Sequence, residues 1–113
     1  MKHYMKLMDD PFKRILSGDK SIEIRLYDEK RRKIKEGDII EFRNIDTAET
    51  LNVKVIKLYV FDSFNELFNK LDSSKFGCDI ETLNNLIYKI YTKEEEKEYG
   101  VVGIEIKLVK GDE

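Results

Sequence analysis

Four stretches predict strands, with hydrophobic and polar residues alternating at period two most clearly in the first and third. In "SIEIRLY", Ile22, Ile24 and Leu26 share one face, while Ser21, Glu23, Arg25 and Tyr27 share the other. "GDIIEF" reads as a strand entered through a Gly-Asp turn, and "LNVKVIKLYVF" as a longer one; "VVGIEIKLV" closes the chain as a fourth. Between them the period lengthens to that of helices. "DDPFKRILSG" predicts a two-turn helix with Asp10 as N-cap, Pro11 at the first helical position and Gly18 as the stop, burying Phe12, Ile15 and Leu16. "SFNE" is a capping-box pattern (Ser63 with Glu66) that opens a helix to about Leu71. After a loop at "SSKFGC", "DIETLNNLIYKIY" is helical, capped by Asp79, with Ile80, Leu83, Ile87 and Ile90 along one stripe. A second box, Thr92 with Glu95, opens a short acidic helix ending at Gly100. Short alternating strands that need a closed core, interrupted by helices, predict an α+β fold: a small β-barrel decorated by short helices.

The 113 residues suit a single domain spanning 1–113. Charged residues make up 39% of the chain and the net charge is −2, yet the charge is unevenly spread. Arg25 to Lys35 carries six Lys or Arg against Asp28 and Glu29, while Thr92 to Glu98 carries four Glu against two Lys. A local basic face of this kind attracts phosphate even when the total is acidic. Cys78 is alone, so an intramolecular disulfide is excluded and a reducing, cytoplasmic home is expected. The start, "MKHYMKLMDDPF", lacks the apolar run of a signal peptide, and no stretch is long enough to span a bilayer, so no membrane partner is expected. With one His and one Cys, a transition-metal cluster has no ligands. His3, beside a terminus expected to fray, is assigned no chemistry, and no cofactor is expected.

"GDKSIEIR" and "IKEGDIIEF" resemble the ASCH domain family, whose pattern G-x-K-x-x-E-x-R the first stretch matches and whose Gly-Asp strand entry the second matches. The closing "YTKEEEKEYGVVGIEI" is similar to the family's end region, so the likeness covers roughly residues 8 to 108. The resemblance implies a barrel like that of PUA RNA-binding domains, with a cleft beside the motif strand and RNA or a modified nucleoside or nucleotide as ligand. It also implies a hydrolase alternative, since some relatives deacylate acetylcytidine and others are ribonucleases. In the acetylcytidine-cleaving relatives the position of Glu23 is a nucleophilic Thr, so their acyl transfer does not carry over. Their further catalytic Glu has no counterpart among residues 64 to 82.

On this resemblance Lys20, Glu23 and Arg25 form the cleft floor, with Lys20 and Glu23 the catalytic pair if the domain is an enzyme. Glu23 would orient water or hold a base's amino edge, and Arg25 would clamp a phosphate or an oxyanion. Arg31 and Arg32 are rim phosphate contacts, Tyr27 a stacking surface and Tyr91 a further cleft residue. The bland alternative is that Glu23 and Arg25 are a solvated pair on a strand's polar face, and "KRRKIK" a solvated turn. Alternation from Ile22 puts residue 20 on the buried face, so a bend near Gly18 is needed to bring Lys20 to the cleft. A monomer or weak dimer without an obligate protein partner is expected.

Overall fold

The computed structural model describes residues 1–109. Five strands form one curled sheet, a half-barrel, in the order β1-β3-β4-β5-β2. They are β1 (Lys2–Leu7), β2 (Ile22–Leu26), β3 (Ile39–Asn44), β4 (Thr50–Phe61) and β5 (Val101–Leu108). β1 runs parallel to β3 and every other pairing is antiparallel. The helices are α1 (Asp9–Ser17), α2 (Glu29–Arg32), α3 (Phe64–Lys70), α4 (Ile80–Ile90) and α5 (Lys93–Tyr99), with a 3-10 turn at Ser73–Lys75. No helix of the described residues is long and apolar enough to cross a membrane.

Two apolar clusters fill the two sides of the sheet. One gathers Met5, Phe12, Ile40, Phe42, Val53 and Ile104; the other packs Ile22, Ile24 and Leu26 against Phe64, Leu67 and Phe76. The predicted alternation along β2 therefore holds, and its apolar face meets α3 and α4. Both predicted boxes act as caps. Ser63 accepts the Glu66 N–H, and Thr92 and Glu95 form a reciprocal pair.

Several expectations are corrected. The first strand, β1, was not anticipated; Met5 and Leu7 alternate inward and Lys2 to Leu7 pair with Ile39 to Asn44. His3 is consequently part of the sheet rather than a frayed end, with Nε2 2.8 Å from Asp38 Oδ2. α1 starts two residues before Pro11, at Asp9, and its N-cap is Met8, without a side-chain cap. Leu16 points outward at 48% exposure and Ile90 at 63%, because α1 and α4 are each covered on one side only. "KRRKIK" begins in a helical turn, α2, capped by Asp28, which accepts the Arg31 N–H. Glu96 leaves the solvated face expected for "EEEKE": it is buried and accepts the Phe64 N–H at 2.7 Å and the Tyr88 hydroxyl at 3.0 Å.

Asp38 ties β1 to the β3 entry. His3 and the Lys35 N–H, which oppose the smaller effect of burial, hold its carboxyl down at about 2 against an ordinary 3.8. A depressed carboxylate stabilises the fold fully above its unfolded pKa, and the contribution disappears as pH falls through the folded value. Melting temperature is therefore expected to fall between pH 3.8 and about 2, and Asp38→Asn to flatten that part of the profile. A variant with the wild-type acid slope would remove Asp38 from the explanation.

Candidate functional site

β1 and β2 are the two edges of the sheet, and they are joined by a side chain rather than by strand pairing. Arg25, on β2, donates from Nη2 to the Lys6 carbonyl of β1 at 2.9 Å. Beside this bridge lies a cleft of about 380 Å³, bounded by the end of β1, the start of α1, β2, the Phe76–Cys78 turn and α4 through Tyr91. Its mouth is apolar, with Met8, Ile45, Leu86 and Ile90 among its lining and all exposed.

The floor is charged. Gly18 ends α1 in the left-handed conformation at φ 89°, and the chain turns so that Lys20 forms an isolated bridge with Phe76. This is the bend that the alternation argument required. Lys20 is 6% exposed and Glu23 5%, yet both line the cleft. Lys20 Nζ donates to the carbonyls of Ile22 (2.9 Å) and Phe76 (3.2 Å) and stands 3.4 Å from Glu23 Oε1. Gly77 makes room for it: at φ 87°, a Cβ there would sit 2.9 Å from the Lys20 Cβ.

Glu23 is held on both oxygens. Oε1 accepts the Ile24 N–H at 3.2 Å, and Oε2 accepts Arg25 Nε at 3.0 Å and Nη2 at 2.9 Å. Burial pushes this carboxyl upward, but Arg25 and then Lys20 outweigh it and hold the group below its usual range. Arg25 is likewise held above its ordinary value: burial opposes the charge, and Glu23 followed by Tyr91 favours it. A buried carboxylate between two cations with four donors around it is a satisfied network, not a solvated surface pair. It also has little capacity left to activate water. The three acceptors around Lys20 likewise occupy its N–H groups. Arg25 is different, because its guanidinium binds Glu23 through Nε and Nη2 and also lies against Tyr91 at the cleft, where both side chains line the space.

Of the other predicted site residues, Tyr91 lines the cleft, its ring stacked on Phe64 with centroids 6.0 Å apart and planes 17° from parallel. Tyr27, Arg31 and Arg32 lie outside the cleft lining. Arg32 covers the Tyr27 ring at 4.4 Å and donates to the Tyr99 carbonyl, while Arg31 Nη1 pairs with Asp28 at 2.8 Å. Sequence reasoning missed Lys6 and Arg14, which also line the cleft. The first sits on the unanticipated strand. Arg14 had a signal, Asp10 four residues earlier on the same helix face, to which its Nε donates at 2.9 Å. Among the described residues no three His, Cys, Asp or Glu side chains gather as a metal-ligating group.

The family model for the ASCH domain matches residues 5–110. The chain belongs to the ASCH domain family. It is similar to the crystal structure of hypothetical protein PH0355, with 41% identity over 96% of this chain and 100% of the other and a TM-score of 0.85. Protein PF0455 from Pyrococcus furiosus is 37% identical over 98% of this chain and all of its own, with a TM-score of 0.77. A point mutant of ZmASCH from Zymomonas mobilis has a TM-score of 0.70 at 10% identity, over 98% of this chain and 76% of the other, a likeness of fold alone. Comparison with curated proteins gives no match. The ASCH, PUA-like fold anticipated from the motif is therefore the fold of this domain, and the family leaves its chemistry to be argued from the cleft.

Proposed function

We propose that this ASCH domain binds RNA or a modified nucleoside in the cleft floored by Lys20, Glu23 and Arg25, and that it works in the cytoplasm as a reader without a cofactor. What carries the reading is the pairing of apolar walls with the Arg25 guanidinium and Tyr91 in one cleft. A cleft of about 380 Å³ is in the size range of small-ligand sites, roughly 300–1,000 Å³. Met8, Leu86 and Ile90 offer a base two apolar faces, and the Arg25 guanidinium with the Tyr91 hydroxyl offers donors to its oxygen-bearing edge. Glu23 and Lys20 hold Arg25 in place rather than touch the ligand themselves. Arg31 and Arg32 add positive potential beside the rim.

The test is fluorescence anisotropy with a labelled short single-stranded RNA at two salt concentrations. Leu86 and Ile90 are exposed, so Leu86→Glu with Ile90→Glu leaves the core alone while putting two negative charges at the mouth. Binding is expected to weaken about tenfold or more, some 1.4 kcal/mol, and to weaken with salt in the wild type. Unchanged affinity in the double variant would place any RNA contact elsewhere. The alternative reading, an amidohydrolase on acylated pyrimidines or a ribonuclease, is checked by chromatography of acetylcytidine, acetylcytosine and the same RNA. Turnover lost in a folded Lys20→Arg protein would replace the reader with an enzyme.

A further inference from the structure

The cleft floor is well supplied with hydrogen bonds and yet is not neutral. Lys20 Nζ stands 3.4 Å from Glu23 Oε1 and Arg25 Nη2 2.9 Å from Oε2, so two cations share one carboxylate. Lys20 and Glu23 are buried and the Arg25 side chain is only 15% exposed, so water screens the surplus weakly. The other partners of the two cations, the Ile22, Phe76 and Lys6 carbonyls, are dipoles without net charge. Nor do the remaining walls supply an anion. Asp10, the other carboxylate of the lining, pairs with Arg14 at 2.9 Å. Lys6 and Lys89 also line the cleft; both are exposed, and neither enters an ion pair among the described residues. The lining thus carries five cations against two carboxylates, in a chain whose net charge is −2. A buried charge without a partner of opposite sign is costly, and a ligand that brings the opposite sign offsets that cost.

We propose that the cleft selects a ligand carrying an oxyanion, and that this group sits at the floor beside the Arg25 guanidinium and Tyr91. The proposal rests on the reading of the cleft as a base site and narrows it. A neutral base fills the apolar walls and leaves the floor charged, whereas a base that brings an oxyanion does both jobs. That group is either a carboxylate on a modified base or the phosphate of a nucleotide; a guanidinium suits both. Lys20 needs no contact with the ligand, because its charge acts over several ångströms where water is scarce.

The experiment is an NMR titration of the full-length chain with two pairs of probes: uracil-5-carboxamide against uracil-5-carboxylate, and cytidine against cytidine 5′-monophosphate. Benzoate, an acid without a base, and a short single-stranded RNA complete the set. The charged member of at least one pair is expected to bind about tenfold tighter at low salt, with Arg25 and Tyr91 signals among those that shift. A gap in the first pair alone puts the oxyanion on the base; a gap in the second alone makes it a phosphate. Binding in the cleft with no gap in either pair would overturn the charge selection and leave the base site standing. Benzoate held at the floor, with no pyrimidine or RNA bound, would support the selection and overturn the base site. Silence from every probe would overturn both. Lys20→Met removes the surplus charge without removing a ligand contact, so in the folded variant the gap is expected to close. A gap of wild-type size there would overturn the assignment to the floor. If Lys20→Met does not fold, the wild-type pairs decide the proposal by themselves.

Discussion

Glu23→Gln is expected to destabilise the domain by about 3–5 kcal/mol, the cost of breaking a buried ion pair from one side. The substitution keeps the shape and removes the charge. Lys20 and Arg25 then share a buried site with no counter-ion, and an amide nitrogen replaces one of the two accepting oxygens. Against a total stability of about 5–15 kcal/mol for a small domain, the loss is large. Urea unfolding would register it as a lower midpoint at unchanged slope. pH supplies an independent check. The folded carboxyl lies below its ordinary 4.5, so its contribution is complete above that value and is lost as pH falls through the folded pKa. Wild type is expected to lose stability below pH 4.5 and Glu23→Gln to lose less over that range. A variant as stable as wild type at neutral pH would mean that the network is solvated after all.

Lys20→Met is expected to cost a similar amount, again about 3–5 kcal/mol, for a partly different reason. The apolar stem is replaced almost in kind, but the Ile22 and Phe76 carbonyls lose their donor and Glu23 loses one cation. A buried acceptor left without a partner costs about 1–3 kcal/mol by itself. The damage should be local: faster amide exchange at Ser21, whose N–H donates to the Lys75 carbonyl, because this bond and the Lys20 bridge hold the 73–77 turn to β2. Combining the two substitutions is expected to cost less than their sum by about 0.5–3 kcal/mol, the signature of residues in one network. Strict additivity would contradict the geometry. The same argument bears on function, because lost activity in a Lys20 variant is diagnostic only when that variant is shown to be folded.

The strands with apolar alternation were legible: β2, β3 and β4 turn their apolar residues to one face, while β5 is buried on both faces over Val101–Ile104. β1 was not, because "KHYMKL" has only Met5 and Leu7 to bury and gains its place from a parallel partner more than thirty residues away, β3. α2 is a four-residue turn, too short to show a period. At the site, the motif led to Lys20, Glu23 and Arg25, and the structure brings all three together. What alternation cannot say is that the polar face of β2 is buried at Glu23: that depends on Lys20 arriving from the Gly18 bend and on Arg25 folding back. Tyr91 was legible only through the family's end region, and Phe64 of the preceding helix α3 stacks on its ring.

The most direct test of the cleft as a ligand site is an NMR titration of the isotope-labelled protein with a short single-stranded RNA at low salt. The account predicts shifts clustered at Met8, Ile24, Arg25, Leu83, Leu86 and Tyr91, the lining of one cleft drawn from three separate parts of the chain. Shifts confined to surfaces away from it, or none at all, would contradict it.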